Sequence, residues 1–384
     1  MNLISIFRHE SWYNIQGNAP LWARHSLIPC LNFIREYAIL IFRPYLTVYQ
    51  LKGQSKAGTI AMHYAVNGAD TQLKLYLKNI LFGQEPVEEK ILKIPLWHLG
   101  RLINNPAVDL TLIGASGNLI RRLPAKNTIV LPRLVDQILD VRGEWKDVQA
   151  RFHHQVRNGE MRLIRKYGYQ IETSNKDTDF EKFFHEMYIP SMKMRHGYQA
   201  HILSWTEAYE CFKQGVLFLT KRDGIYVSGS VCVTQSASGV VHGLLIGVLQ
   251  ADQQLVKEGA QGVLYYAVAQ WANTHGYEAV DFEATEPFLK KGILQYKKKW
   301  GTVIRIPRND RKRLWLKIQR HTPAVNQFLK DNPCIMINKQ GDLQGLFFVD
   351  DSDQVPADTK AEWDKLCAMP GLKGYCIYPV ENLV

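Results

Sequence analysis

Apolar and polar residues alternate in several short stretches of the chain, and elsewhere apolar residues recur every three or four positions. The alternation at 108–114 (VDLTLIG) is typical of a strand, whereas Phe180, Phe183, Phe184 and Met187 are spaced for one helix face. We predict further strands at 38–42, 46–51, 216–221, 225–234, 239–249, 278–283, 335–339 and 343–348, and further helices at 205–214, 259–275 and 293–300. The mixture of both element types predicts an α/β or α+β fold.

Glycines and charged residues mark where the predicted elements end. Gly168 and Gly276 follow helical stretches as candidate helix stops, and Asp223-Gly224 between two strands predicts a hairpin turn. A boundary falls near 141–150, where a strongly basic helical segment begins. We therefore divide the chain into an N-terminal extension at 1–36, two α/β halves of similar plan at 37–150 and 151–305, and a C-terminal α/β extension at 306–384.

Composition adds a charge imbalance to this picture. The 384 residues include 47 Lys and Arg against 36 Asp and Glu, which gives a net charge of +11. The excess of positive charge favours an anionic partner, namely a nucleotide-bearing cofactor, an acidic carrier protein, RNA or an anionic membrane surface. A basic surface without such a partner is the alternative.

The cysteines and the hydropathy indicate a compartment. The six cysteines are scattered, with no C-x-x-C pair, which predicts buried thiols in a reducing environment. The opening MNLISIFRHE does not resemble a signal peptide, and no stretch approaches ~20 uninterrupted apolar residues. We therefore expect a cytoplasmic protein without a transmembrane helix. Peripheral membrane contact stays open, because aromatic residues lie near arginines early in the chain: Trp12, Tyr13, Trp22 and Phe33 beside Arg8, Arg24 and Arg35.

Several common chemistries have no motif here. The sequence contains no G-x-x-x-x-G-K-[ST], G-x-S-x-G or H-E-x-x-H. The pair His153-His154 lacks an acidic or cysteine companion at metal spacing, so we predict no metal site.

The stretch 276–301 (GYEAVDFEATEPFLKKGILQYKKKWG) carries the most informative pattern. Asp281-Phe282-Glu283 is followed by a basic helix that runs from Gly292 to Trp300-Gly301. This order resembles the FemAB-like branch of the GNAT superfamily, where strand text DFG or DFE precedes a "G-l-x-x-[FY]-K-x-x-[FW]-G" helix. The segments 162–168 and 188–197 resemble two further helices of such chains. The resemblance implies tandem GNAT-like halves with mixed central sheets flanked by helices, the second half being catalytic.

Acidic residues and one histidine are candidates for proton transfer. Asp281 and Glu283 would share one side of a strand, so their repulsion should raise one pKa toward that of a useful general base. His242 on 240–248 could also take the proton from an amine, and Tyr296 could assist the leaving group. The alternatives are a hydrogen-bonded core histidine and an aspartate paired with the lysines at 297–299.

The resemblance also implies a binding loop for the acyl donor. In GNAT-type enzymes the text [QR]-x-x-G-x-[GA] at a helix start cradles the pyrophosphate of coenzyme A. Here Lys257 stands in place of Gln or Arg and Ala260 in place of Gly, so a plain loop is the alternative. The candidate donor contacts are Lys257, Gly259, Ala260, Gln261 and Gly262, with Gly247 and Val248 of the preceding strand, where Gly243 and Gly247 would admit a ligand closely.

A third group of residues is a candidate for binding the acceptor. Pro190 would break its helix and direct Arg195 into a cleft, where its guanidinium could hold a carboxylate or phosphate. The alternative is a helix end with favourable cations. The full set of candidate acceptor contacts is Arg195, His196, Tyr188, Glu286 and Lys297.

Together these features predict an enzyme that transfers an acyl group to an amine by direct attack. The donor would be a thioester on coenzyme A or an acyl carrier protein, used as a co-substrate with no tightly bound cofactor. Fem-type aminoacyl transfer from charged tRNA is one alternative. A non-catalytic basic adaptor that binds nucleic acid or membrane is another.

Overall fold

The computed structural model describes residues 44–67, 70–83, 85–196, 202–235, 239–307, 312–351 and 354–380, without the side chains of Gln235 and His196. The predicted strand at 38–42, the extension at 1–36 and its aromatic and arginine residues lie outside the described residues. Within the described ranges, no helix combines the length and apolar character needed to cross a membrane.

The strands follow one another along the chain as β1 (Tyr45–Ser55), β2 (Gly58–Val66), β3 (Val87–Pro95), β4 (Leu110–Ser116), β5 (Thr128–Pro132), β6 (Asp136–Asp140), β7 (Gln170–Ser174), β8 (Gly215–Arg222), β9 (Ile225–Gln235), β10 (Val240–Val248), β11 (Ala279–Asp281), β12 (Val303–Arg305), β13 (Lys312–Ile318), β14 (Cys334–Ile337), β15 (Leu343–Val349) and β16 (Leu372–Pro379). They form a six-stranded, a seven-stranded and a three-stranded sheet.

The α-helices are α1 (Thr71–Phe82), α2 (Leu99–Ile103), α3 (Gly117–Ile120), α4 (Trp145–Ala150), α5 (Met161–Lys166), α6 (Asp177–Lys182), α7 (Ile189–His196), α8 (Trp205–Lys213), α9 (Gln253–Lys257), α10 (Gly262–Thr274), α11 (Gly292–Lys298), α12 (Pro323–Asp331) and α13 (Ala357–Cys367). Two π-helical segments, Val156–Glu160 and Phe183–Tyr188, lead directly into α5 and α7. The mixed α/β class predicted from the pattern is therefore confirmed, with helices packed on mixed sheets.

The six-stranded sheet has the order β3-β1-β2-β4-β13-β5 and is covered by α1 and α12. The stretch LKLYLKNILF forms most of α1. Its residues Leu73, Leu77 and Leu81 share one buried face, and Asp70 caps its start by accepting from Leu73 N at 3.2 Å. The apolar spacing of three and four therefore decided the element type.

The seven-stranded sheet has the order β12-β6-β11-β10-β9-β8-β7. Its strands are antiparallel except for β10 and β11, which run parallel because α10 connects them across the sheet. The turn between β8 and β9 has left-handed backbone at Asp223 (φ 52°) and Gly224 (φ 80°), which confirms the predicted hairpin.

Two strands cross the borders expected at 150 and 305. β6 belongs by sequence to the first half but pairs with β11 and β12 of the seven-stranded sheet. β13 lies beyond 305 but pairs on both sides in the six-stranded sheet, with β4 and β5. The first half thus contributes β6 to the sheet formed mainly by the second half, and the C-terminal extension contributes β13 to the sheet formed mainly by the first half. The borders expected at 150 and 305 therefore do not separate the two sheets, because strand pairing joins residues far apart in sequence.

The basic segment 141–168 is broken into three short helical pieces, in contrast to the single helical segment expected from the sequence. α4 ends at Ala150, and the chain then bends so that Phe152 packs edge-on against Trp300 at 5.4 Å between ring centroids. His153 N donates to Lys299 O at 2.8 Å at the same place. Burial of one aromatic residue therefore outweighs helix continuity here.

The C-terminal segment adds the sheet β14-β15-β16, with α13 packed against it. The predicted pair of strands around Gly341 is confirmed as the antiparallel hairpin of β14 and β15. Trp363 of α13 stacks on Phe347 of β15 at 4.4 Å, which fixes the helix to this sheet.

We expect Trp315→Ala to lower the free energy of unfolding by about 3–5 kcal/mol, because it removes a large buried side chain from β13. Trp315 is 1% exposed, and its Nε1 donates to Pro124 O at 3.0 Å. Trp97→Ala is the matched control, since Trp97 is 69% exposed and should change stability by no more than about 0.5 kcal/mol. Denaturant unfolding followed by circular dichroism measures both; equal losses would contradict a structural role for β13.

Candidate active site

The seven-stranded sheet opens where its only described parallel pair ends. β10 and β11 pair over three positions, the last being His242 opposite Asp281. Beyond that point β10 continues to Val248 beside β9. The segment that follows β11 turns away from β10, and its Thr285 forms an isolated β-bridge with Val135. A bulge between Gly243 and Leu245 bends β10 at the same level. The two strands therefore separate beyond His242 and Asp281, and we call the region between them the cleft.

Three candidate residues come together at the point of separation. His242 Nδ1 lies 3.6 Å from Asp281 Oδ2 and 3.5 Å from Glu283 Oε1. The strand ends at Asp281, so the expectation that Asp281 and Glu283 share one strand face is wrong. Glu283 instead has left-handed backbone (φ 65°), and its N–H donates to Asp281 Oδ1 at 2.8 Å. The turn, not strand alternation, aims its carboxylate at His242.

Burial and mutual repulsion change the protonation of this cluster. Burial, followed by the charge of Glu283, raises the pKa of Asp281 to about 6. Burial also raises the pKa of Asp136 to about 7, with Asp281 as the next cause. Burial lowers the pKa of His242, but the neighbouring carboxylate of Glu283 and the charge of Asp281 outweigh this, so the net pKa is raised. Asp281 and Asp136 therefore have pKa values closer to neutral pH than an ordinary aspartate.

Asp136 is the residue that the sequence analysis missed. It lies on β6, opposite Arg305 of β12, and its Oδ2 is 3.7 Å from Arg305 Nε. The signal that could have found it is the polar pair Asp136-Gln137 inside the apolar run LVDQIL. An acidic residue within a buried strand needs either a partner or a function.

Gln137 connects the three pieces of chain around the cleft. Its side chain is fully buried, its Nε2 donates to Leu294 O at 2.9 Å, and its Oε1 accepts from Thr285 Oγ1 at 3.0 Å. β6, the turn at 283–287 that follows β11 (the acidic turn) and α11 are thereby held in one arrangement.

Lys297 also supports the acidic turn. It is 6% exposed, and its Nζ donates to Glu283 O at 2.9 Å. Burial lowers its pKa to about 8. The ammonium group therefore fixes the turn that positions Glu283, and contact of Lys297 with an acceptor stays a prediction.

The predicted donor loop is filled by the protein itself. A side-chain carbon on Gly262 would lie 2.2 Å from Glu160 Oε2, and one on Gly259 would lie 3.0 Å from Leu163 Cβ. Ala260 is buried, and its carbonyl accepts from Ser228 Oγ at 2.6 Å, while Lys257 points to solvent at the end of α9. Glycine is needed at 259 and 262 because α5 and the π-helical segment before it approach closely. The carboxyl group of Glu160 therefore lies at the start of α10, where a phosphate of the acyl donor was expected.

The two donor contacts predicted on β10 have structural partners as well. A side-chain carbon on Gly247 would lie 2.4 Å from the Met187 backbone, so this glycine admits the π-helical segment and not a ligand. The Val248 N–H donates to Ser191 Oγ at 2.9 Å, and its carbonyl accepts from the same hydroxyl at 3.2 Å. Both predictions are corrected, because packing against α7 uses these groups.

The remaining predicted residues are dispersed. Arg195 donates to Gln261 Oε1 at 2.8 Å and so reaches the donor loop. Tyr188 is buried among aromatic residues and accepts from Leu203 N at 3.2 Å, and Glu286 is paired with Lys291. Their contact with an acceptor stays a prediction. The His196 side chain lies outside the described residues.

Tyr296 lies apart from the histidine cluster, beside the start of α10. Its hydroxyl would be 3.4 Å from a side-chain carbon on Gly262, and its ring packs edge-on against Tyr265 at 5.2 Å. Burial, with the charge of Glu160 next, raises the pKa of Tyr296 well above its usual value. The phenol therefore stays protonated and keeps an O–H that can donate a hydrogen bond.

No protein-family model matches the sequence, and no curated protein matches it. Solved structures do match: FemX at 14% identity over 73% of this chain and 90% of that chain, with a TM-score of 0.38. L-PGS from Bacillus licheniformis matches at 12% over 73% and 87%, with a TM-score of 0.34. A tandem GNAT protein from the clavulanic acid biosynthesis pathway matches at 11% over 71% and 84%, with a TM-score of 0.28.

We expect the melting temperature to fall as the pH rises from 5 to 8, and Asp136→Asn to reduce that fall. Folded Asp136 keeps its proton up to about pH 7, whereas an unfolded aspartate loses it near 3.8. The folded state therefore holds more protons in this window, and its stability is lost as the pH rises through the folded pKa. Asparagine keeps the shape without titrating.

Asp140→Asn is the matched control on the same strand. Arg142 lowers the pKa of Asp140, so this residue titrates below the window and its variant should keep the wild-type slope. The same melting curves, recorded at several pH values, test both. If the melting temperature of Asp136→Asn falls with pH as steeply as that of the wild-type protein, Asp136 is ionised over the whole range from pH 5 to 8.

Proposed function

We propose that this chain is an N-acyltransferase that moves an acyl group from a carrier-bound thioester to an amine by direct attack. The observation that supports this most is the group of His242, Asp281 and Glu283 at the point where β10 and β11 separate. A cleft lets an acyl group lie between two strands, and the cluster lies where an amine would have to lose its proton.

The geometry favours His242 as the general base. Its Nδ1 faces the two carboxylates, so they hold that nitrogen protonated and leave Nε2 to accept a proton. The amine nitrogen attacks the carbonyl carbon, its proton passes to Nε2, the carbon–sulfur bond breaks, and the thiolate takes the proton. Asp281 and Glu283 stabilise the imidazolium and attract an incoming ammonium group.

The donor loop at the start of α10 is filled by the protein itself. This favours a donor that is not anchored there by a pyrophosphate. Glu160 stands there, and burial raises its pKa, with Lys299 acting in the opposite direction. An additional phosphate would meet a carboxyl group in place of open N–H groups. An acyl carrier protein, recognised by its acidic surface, fits this arrangement better than coenzyme A.

A cationic surface beside this loop could recognise such a carrier. Burial lowers the pKa of His153, and the nearby charges of Lys298, Lys299 and Arg157 lower it further, which shows that positive charge is concentrated here. We call the group Arg157, Lys298 and Lys299 the cationic patch. Clustered positive charge on the outside of a fold favours a polyanionic partner.

The same patch supports a second candidate function, aminoacyl transfer from charged tRNA. RNA phosphates would bind the patch without using the filled loop, and an aminoacyl ester can be attacked by an amine in the same way as a thioester. Salt dependence distinguishes the two donors. A protein that neutralises many RNA phosphates releases the counterions bound to them, so its affinity for tRNA falls steeply as the salt concentration rises.

We expect His242→Ala and Asp281→Asn each to lower kcat by roughly 10²- to 10⁴-fold, the contribution of a general base. Thiol release from an acyl carrier protein thioester, with glucosamine, lysine and ethanolamine as acceptors, measures the rate. Asp140→Asn should keep wild-type turnover. Turnover that is unchanged in both cluster variants would contradict the assignment, and wild-type protein that binds donors but never turns over would favour the non-catalytic adaptor.

We expect Arg157→Glu with Lys299→Glu to weaken carrier binding by roughly tenfold, because two attractive charges become repulsive. Fluorescence anisotropy with labelled acyl carrier protein, bulk tRNA and coenzyme A, at low and moderate salt, measures this. Lys56→Glu is the control, since Lys56 is 87% exposed in the turn between β1 and β2. Tight tRNA binding that collapses with salt would select the second function, and tight coenzyme A binding would contradict the filled loop.

A further inference from the structure

We propose that His242, Asp281 and Glu283 form a binding site for one divalent transition metal ion, with Zn²⁺ as the best match. One atom of each residue, His242 Nδ1, a carboxylate oxygen of Asp281 and one of Glu283, can be chosen so that all three lie within 4.8 Å of one another. The proposal uses the same residues as the proposed function, but metal binding does not require the reaction.

The distances match metal ligands better than a hydrogen bond. His242 Nδ1 is 3.6 Å from Asp281 Oδ2 and 3.5 Å from Glu283 Oε1, whereas a good N–H···O bond spans about 2.7–3.2 Å. In a tetrahedral zinc site with bonds of about 2.1 Å, neighbouring ligand atoms are about 3.4 Å apart. His242 Nδ1 also carries at most one proton, so it cannot donate a full hydrogen bond to both carboxylates.

One ligand atom lies buried without a hydrogen bond. Glu283 Oε1 is closed off from solvent and has no hydrogen-bond partner among the described residues. Asp281 Oδ1 already accepts from Glu283 N, so Oδ2 is the oxygen that faces the histidine. Buried carboxylate oxygens need partners, and a cation between these atoms would satisfy both acidic side chains at once.

The ligand types select the class of metal. One imidazole nitrogen and two carboxylate oxygens suit Zn²⁺, and Co²⁺ as its spectroscopic substitute, whereas Mg²⁺ and Ca²⁺ prefer oxygen alone. The carboxylate of Asp136 adds negative charge near the site, while Arg305 and the ammonium group of Lys297 oppose the ion. The cleft between β10 and β11 leaves the fourth position to water or a ligand.

Metal binding would regulate the proposed function. An ion on Nδ1 displaces the proton that the carboxylates hold there and makes His242 a poorer base. Zinc should therefore inhibit transfer in competition with the ammonium group of the acceptor. This consequence depends on the proposed function, whereas the binding itself does not.

The test is titration of the chelator-treated, dialysed full chain with ZnCl₂ by calorimetry and with CoCl₂ by visible absorption, in the absence of donor and acceptor. We expect one ion per chain and a Co²⁺ spectrum typical of four-coordination. His242→Ala and Asp281→Asn should each weaken zinc binding by roughly 100-fold or more, as loss of a metal contact does.

The double variant His153→Ala with His154→Ala is the control, because these adjacent histidines are the other place where zinc could bind. Zinc binding that disappears in this control and persists in His242→Ala would overturn the proposal, as would wild-type protein that binds no ion. Glu283→Gln provides a variant at a turn side chain that is 40% exposed, in case a buried substitution prevents folding. A protein that binds zinc but transfers nothing retains this proposal and loses the proposed function.

Discussion

The separation of two parallel strands after three paired positions is the constraint on which the rest of this structure depends. Because β11 ends at Asp281 and β10 continues to Val248, the two strands no longer pair beyond His242 and Asp281. The chain can leave β11 only because Thr285 pairs with Val135 and bonds to Gln137, which gives the departing backbone new partners. The cleft is thus held open by hydrogen bonds on its outer side.

The acidic cluster exists because other charges compensate for it. Asp136, Asp281 and Glu283 lie close enough to raise the pKa values of two of them, an arrangement that is unfavourable unless cations stand nearby. Arg305 faces Asp136, and the buried ammonium of Lys297 holds the Glu283 carbonyl. Protonation near neutral pH and the raised pKa of His242 follow from this balance, and they suit a site that moves protons.

The start of α10 shows how one sequence pattern can have two physical meanings. Glycines at 259 and 262 were expected to admit a phosphate, yet in the structure they admit Leu163 and the carboxylate of Glu160. Both readings require a residue without a side chain at a helix start, because either a ligand or a neighbouring segment must approach the backbone. Only the packing of a segment 100 residues earlier distinguishes them.

The sequence by itself determined the elements whose signal is local: the helical spacing of 180–187, the Asp223-Gly224 hairpin, the strands around Gly341, and His242, Asp281 and Glu283 as candidate residues. Strand exchange, the role of Asp136 and the filled loop were decided only by the tertiary structure. β6 and β13 pair with strands that are distant in sequence, and Glu160 meets Gly262 across about 100 residues. Periodicity and turn chemistry depend on neighbours along the chain, whereas pairing, burial and pKa depend on neighbours in space.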